Sequence, residues 1–194
     1  MNNGKCRIIG GKWRGRIIQF DAAEGLRPTT DRIRETLFNW LQPYIHNCHC
    51  LDAFAGSGVL GFEALSRGAG HAVFIEQNSK TVKRLKENIR TLDIENATVH
   101  HQNALKWLQT ADGNRCEGGK FDLVFLDPPF NTDLLVKSCK LLDNSGCLAE
   151  DAIIYIEHNV ATDIELPENW IVLKEKKAGQ VAYRLFENSL PGSH

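Results

Sequence analysis

From residue 49 onward the apolar positions switch repeatedly between two periods. Short continuous runs, which fit buried strands, alternate with stretches where apolar residues return every third or fourth place, the mark of a helix with one packed face. The predicted strands are His49–Phe54, Ala72–Glu76, Ala97–His101, Phe121–Leu126 and Ala152–Glu157. Between them the pattern predicts helices from about Val59 to Arg67, Ser79–Leu92, Ala104–Thr110 and about Asp133–Leu142. Val82, Leu85, Ile89 and Leu92 form the apolar stripe of the second of these, with Lys83, Lys86 and Arg90 outside. Strands alternating with helices imply an α/β fold with a parallel sheet and right-handed crossovers. Two further strands, Trp170–Lys176 and Val181–Phe186, joined through Lys177–Gln180, predict an antiparallel hairpin that closes the sheet. Residues 111–119 read as a polar, mobile loop.

The N-terminal part has a different texture. Cys6–Ile9 and Arg16–Phe20 predict a β-hairpin around Gly10–Gly15. A helix is predicted over Asp31–Tyr44, with Thr30 as N-cap. Ile33, Leu37, Trp40, Leu41 and Tyr44 share its packed face, and Arg32, Glu35 and Asn39 lie opposite. The expected organisation is a basic hairpin extension over 1–25, a single catalytic domain over 26–187 and a flexible tail over 188–194.

Composition limits the function classes. No apolar stretch approaches a membrane span, and the residues after Met1 lack the apolar region of a signal peptide. Six cysteines without a secretory signal predict reduced thiols in the cytoplasm. Cys48-His49-Cys50 has the wrong spacing for zinc and no partner pair follows, so no metal is expected. The formal net charge is −1, but residues 1–40 carry +4 and the remainder −5. That asymmetry marks the N-terminal part as the candidate phosphate-contacting face.

Two motifs carry candidate chemistry. Phe54, Gly56, Ser57 and Gly58 lie in a glycine turn that opens a helix, in a G-x-G-x-x-G pattern completed by Gly61. Such a turn fits nicotinamide and flavin enzymes equally well. Asp52, at the strand end beside the turn, discriminates, because a carboxylate there repels a pyrophosphate. It attracts a cofactor that carries an ammonium and a sulfonium, which describes S-adenosylmethionine. Glu76 ends the next strand, 18 residues beyond Gly58, where an acid can accept hydrogen bonds from both ribose hydroxyls; Gln77 follows it. Asn103 ends a third strand, where its amide can meet adenine beside the Ala104 N–H or can cap the following helix, two compatible roles. His100 and His101 read as strand or surface residues.

The second motif, Asp127-Pro128-Pro129-Phe130, ends the apolar strand Phe121–Leu126. Two prolines stiffen the turn, fixing one carboxylate, exposed carbonyls and one aromatic ring relative to each other. Methylation of a planar nucleobase amine calls for that set. The amine lone pair is delocalised, so acceptors must draw the nitrogen towards a tetrahedral geometry while a flat ring stacks on the base. Asp127, Pro128 and Phe130 are the catalytic candidates, with Asp127 also bordering the cofactor.

Five segments in one order, Arg7–Gly15, Leu26–Glu35, Asp52–Gly58, Asp127–Phe130 and Ala178–Arg184, together resemble the bacterial 16S ribosomal RNA guanine-N2 methyltransferase family, the RsmD family. The resemblance runs from about Cys6 to Phe186. It implies a class I methyltransferase fold, Rossmann-like, with a seven-stranded, mostly parallel sheet. It also implies S-adenosylmethionine as donor and one guanine amine of 16S rRNA, in an assembled or assembling small subunit, as acceptor. The expected enzyme is a cytoplasmic monomer in which Arg7, Lys12, Trp13, Arg14, Arg27 and Arg32 contact RNA. Related N6-adenine methyltransferases usually carry Asn in place of Asp127. Such an enzyme and a non-catalytic RNA-binding assembly factor are the alternatives.

Overall fold

The computed structural model describes residues 3–21, 31–112, 116, 119–129, 133–162 and 164–189. An antiparallel hairpin of β1 (Asn3–Arg7) and β2 (Ile17–Asp21) precedes helix α1 (Asp31–Leu41). The chain then alternates through β3 (His49–Asp52), α2 (Val59–Ser66), β4 (His71–Glu76), α3 (Ser79–Leu92), β5 (Ala97–His101), α4 (Ala104–Thr110), β6 (Phe121–Leu126), α5 (Leu134–Asn144) and β7 (Leu148–Asn159). The hairpin of β8 (Trp170–Ala178) and β9 (Val181–Asn188) completes it. Thr30, the predicted N-cap of α1, and residues 190–194 of the predicted tail lie outside the described residues.

Seven strands form one sheet in the order β5-β4-β3-β6-β7-β9-β8. Pairing is parallel up to β7, and β9 is antiparallel to both of its neighbours. From β3 the chain moves outward through β4 and β5, then returns to the other side of β3 with β6. The strand order therefore reverses at β3/β6, where open α/β sheets hold ligands beyond the carboxyl ends of their strands.

Strand alternation divides the core into two layers. Leu37, Phe38 and Leu41 of α1, with Leu60, Phe62 and Leu85 of α2 and α3, pack on the face that carries Cys50, Phe74, Phe125 and Tyr155. Leu108 of α4 and Leu135, Cys139 and Leu142 of α5 cover the opposite face with Leu51, Val73, Val124 and Ile154. Ile8 and Ile18 of the hairpin belong to the first of these layers, so the hairpin shares the core of the main domain.

The amphipathic patterns predicted most of these elements, and the departures have local causes. α1 ends at Leu41 rather than Tyr44. Pro43 cannot continue a helix and biases Gln42 away from helical geometry, which leaves Tyr44 exposed in a turn. Arg34 and Phe38 of α1 are buried although the pattern did not place them inside. β7 begins at Leu148, before Ala152, because Glu150 and Asp151 interrupt the apolar run without ending the strand. Of the six cysteines, Cys116 and Cys147 are joined as a disulfide, which corrects the expectation of six thiols. Their Cα atoms are 6.3 Å apart after a separation of 31 residues, a proximity created by the fold that no local pattern announces. No helix among the described residues is long and apolar enough to cross a membrane.

Candidate active site

The candidate residues collect at the carboxyl ends of β3, β4, β5 and β6. Backbone bonds tie the segment after β3 to the strands on either side: Ala53 N–H donates to the Phe125 carbonyl of β6 at 3.1 Å and Ala55 N–H to the Ile75 carbonyl of β4 at 3.0 Å. Gly58 then starts α2 in the left-handed conformation with φ +75°. A Cβ at Gly58 would come within 2.4 Å of Leu85 Cδ2 and 2.7 Å of Phe62 Cε2, so both backbone angle and packing demand glycine. Ser57 is buried within this turn, and Phe54 packs at the edge of the opposite core layer.

Asp52 is 3% exposed, and one of its oxygens accepts from Gly61 N–H in the first turn of α2 at 3.2 Å. Burial raises its carboxyl to about 7; the Gly61 hydrogen bond opposes the rise, and the charge of Glu76 adds to it. A buried carboxylate held this far above its usual range has a strong electrostatic interest in a cation. Glu76 accepts from Gly56 N–H at 3.0 Å through one oxygen and from Asn78 N–H at 2.7 Å through the other. The carboxylate is thereby clamped to the glycine turn, and each oxygen keeps a lone pair for a further donor.

At the end of β5, Asn103 caps α4 by accepting from Lys106 N–H at 3.2 Å and donates to Gln77 Oε1 at 2.9 Å. Both ends of its amide are engaged in the protein, which favours the capping role and leaves the Ala104 N–H, at the first position of the helix, without an intrahelical acceptor. Gln77 is exposed, tied by this bond to the rim.

Asp127 is half-buried and Pro128 buried at the end of β6, while Pro129 is exposed. Asp127 stands on the same face as Asp52, and its carboxyl is raised well above the usual range. Burial is the main cause, followed by the nearby charges of Glu157 and Asp52 and by a hydrogen bond with Glu157. Phe130 lies outside the described residues. Glu157, inside β7, is a site residue that sequence reading did not identify; its only signal was that it, like Asp127, directly follows an apolar run.

A family model described as Conserved hypothetical protein 95 matches residues 6–187. The chain is 47% identical over 191 residues to Ribosomal RNA small subunit methyltransferase D of Escherichia coli K12, covering 98% of this chain and 93% of that protein. It is 48% identical over 187 residues to the protein of the same name in Haemophilus influenzae, covering 95% of each. The solved structure of Escherichia coli yhhF matches at a TM-score of 0.84 and 48% identity, over 96% of this chain and 99% of that one. The chain belongs to the RsmD methyltransferase family.

In this family member the hairpin docks on α2 and α3 chiefly through helix side chains that bond its main chain. Ile9 N–H donates to Glu63 Oε2 at 2.9 Å, Trp13 N–H to Ser66 Oγ at 2.9 Å, and Ser66 Oγ–H to the Gly10 carbonyl at 2.6 Å. Lys12 N–H donates to the Ser66 carbonyl at 2.6 Å. Asn88 of α3 accepts from Gln19 N–H at 3.1 Å and donates to the Gln19 carbonyl at 2.8 Å. Arg34, fully buried on α1, donates to the Arg7 carbonyl at 3.0 Å and pairs with Asp31 and Glu63. Of the predicted RNA contacts, Arg7, Lys12, Arg14 and Arg32 are exposed, and Arg27 lies outside the described residues. Trp13 is buried in the core, with the Lys12 ammonium 5.1 Å above its ring, so it anchors the hairpin.

Proposed function

We propose that this methyltransferase transfers a methyl group from S-adenosylmethionine to the exocyclic N2 amine of a guanine in small-subunit ribosomal RNA. The single observation that carries the reading is the placement of Asp52 and Asp127 on one face of the two strand ends at the topological switch point, one beside the glycine turn and the other in the Asp-Pro-Pro turn. The donor set fits the cofactor: two carboxylates, Asp52 and Glu76, suit an ammonium and a ribose diol and disfavour a pyrophosphate. Asp52 would hold the methionine end, Glu76 the ribose, and the Ala104 N–H with the Asn103–Gln77 rim the adenine. When bound, S-adenosylmethionine supplies an electrophilic methyl group.

The protein's own contribution is placement. Asp127 and the Pro128 carbonyl accept from the guanine amine and draw its nitrogen out of conjugation with the ring. Phe130 stacks on the base. Arg7, Lys12, Arg14, Arg27 and Arg32 hold RNA phosphates, and the names of the relatives point to the small subunit as the RNA's context. The deciding experiment is incubation with labelled S-adenosylmethionine and unmodified small subunits, followed by nucleoside analysis. Label in N2-methylguanosine supports the reading; label in N6-methyladenosine, or none in RNA, overturns it.

A further inference from the structure

Glu157 lies directly behind Asp127. Strands β6 and β7 run parallel with Phe125 opposite Tyr155 and Leu126 opposite Ile156. One step further along the same register brings Asp127 and Glu157 side by side, with both side chains on the face that carries Phe125 and Tyr155. The two carboxyl groups are near enough to raise each other's affinity for a proton through charge and hydrogen bonding. Two carboxylates have no donor between them, so a hydrogen bond that joins the pair requires a proton on one of the two. Asp127 is partly open to the crevice, whereas Glu157 is 5% exposed.

Other titratable groups face this pair. Asp52 on β3 presents another negative charge to Asp127. Tyr155 on β7 is fully buried, its hydroxyl has no hydrogen-bond partner among the described residues, and its ionisation is suppressed by burial and by the charges of Glu157 and Asp127, with Tyr183 a lesser neighbour. Tyr183 on β9 stands opposite Glu157 in the antiparallel register. The pair thus sits in surroundings that penalise a second negative charge.

We propose that Glu157 is a positioning residue for methyl transfer, sharing one proton with Asp127 so that the pair keeps a single charge and turns a fixed acceptor oxygen towards the substrate amine. This rests on the reaction proposed above and deepens it. As the amine lone pair forms the new N–C bond, the C–S bond breaks with its electrons left on sulfur. The proton shed by the alkylated nitrogen goes to the free oxygen of Asp127. The singly charged pair becomes neutral and returns that proton to solvent.

Infrared difference spectra of the ligand-free protein near neutral pH, parent minus Glu157→Gln, test the shared proton directly. The parent should show a protonated-carboxyl stretch that the variant lacks, with Asp52 contributing to both. Single-turnover methylation across pH tests the positioning. The amide introduced by Glu157→Gln can donate to Asp127 at every pH, so this variant should stay within about tenfold of the parent near neutrality. It should also lose the alkaline decline that the parent shows when the shared proton leaves. Glu157→Leu, which provides no donor, should lose about 10²-fold, the scale of a misplaced reacting group. Thermal midpoints of both variants report whether the fold is retained. Absence of the difference band, or identical pH profiles for parent and Glu157→Gln, overturns the proposal. If the band is present but no N2-methylguanosine forms, the reaction assignment falls and the proton-sharing pair stands.

Discussion

At the scale of single residues, Asp52 governs when the cofactor can bind. Its carboxyl titrates at about 7 because burial opposes ionisation, and a ligand ammonium prefers the ionised form. The sign follows: affinity for S-adenosylhomocysteine should be full above about 7 and fall by up to about tenfold per unit as pH drops below it. Calorimetric titration should show this slope, and Asp52→Asn should bind more weakly with the slope removed; an unchanged slope in the variant would take Asp52 out of the cofactor site. Asp127 is tested on the rate. Asp127→Asn keeps an acceptor oxygen, and the alkylated amine is acidic enough to lose its proton to water instead, so this variant should retain measurable turnover, whereas Asp127→Ala should lose on the order of 10²-fold. Full activity in the Ala variant would remove Asp127 from the reaction. Both residues were legible in the sequence because each closes an apolar run beside a turn motif. Glu157 closes one too, but its meaning depends on β7 lying beside β6, a pairing of residues thirty positions apart.

Among elements, the hairpin depends most on contacts invisible in sequence. Its two strands follow from their own residues, but its seat on α2 depends on Glu63 and Ser66, more than fifty positions away. Gly11 marks the closest approach: its φ is +73°, and a Cβ there would lie 1.8 Å from the Ser66 carbonyl oxygen. Glu63, fully buried, accepts from Ile9 N–H and pairs with Arg67 at 2.8 Å and Arg34 at 3.6 Å. Glu63→Ala would leave the buried Arg34 charge undercompensated and should cost roughly 3 to 5 kcal/mol in denaturant unfolding. A loss below about 1 kcal/mol, the size of an exposed pair, would show that Asp31 and backbone carbonyls suffice. On the outer side of the same hairpin, replacing Arg7, Lys12 and Arg14 together should weaken binding to small subunits and lower the salt slope by about one per lost phosphate contact. Cofactor affinity should hardly change. Retention of both substrate affinity and salt slope in that triple variant would move the RNA face elsewhere.

For the molecule as a whole, alternation of strand and helix made the parallel sheet legible, and the glycine turn located its ligand end. What periodicity could not give was the assembly of long-range partners: the hairpin within the core, the Cys116–Cys147 link and the row of acids on one sheet face. That row gives the last prediction, because it makes the whole fold respond to one ligand class and not another. A ligand that binds only the folded state stabilises it by mass action, about 2.7 kcal/mol at a hundredfold excess over Kd. For a chain of this size each kcal/mol moves the thermal midpoint by roughly 2–4 °C. S-adenosylhomocysteine at that excess should therefore raise the midpoint by roughly 5–10 °C, because Asp52 and Glu76 meet an ammonium and a diol. NAD offers the same adenosine but adds a pyrophosphate to the carboxylates and should leave the midpoint where it is. The contrast should shrink as pH falls below about 7, where Asp52 takes up its proton. Stabilisation by NAD with none by S-adenosylhomocysteine would show that the strand-end acids do not select the ligand.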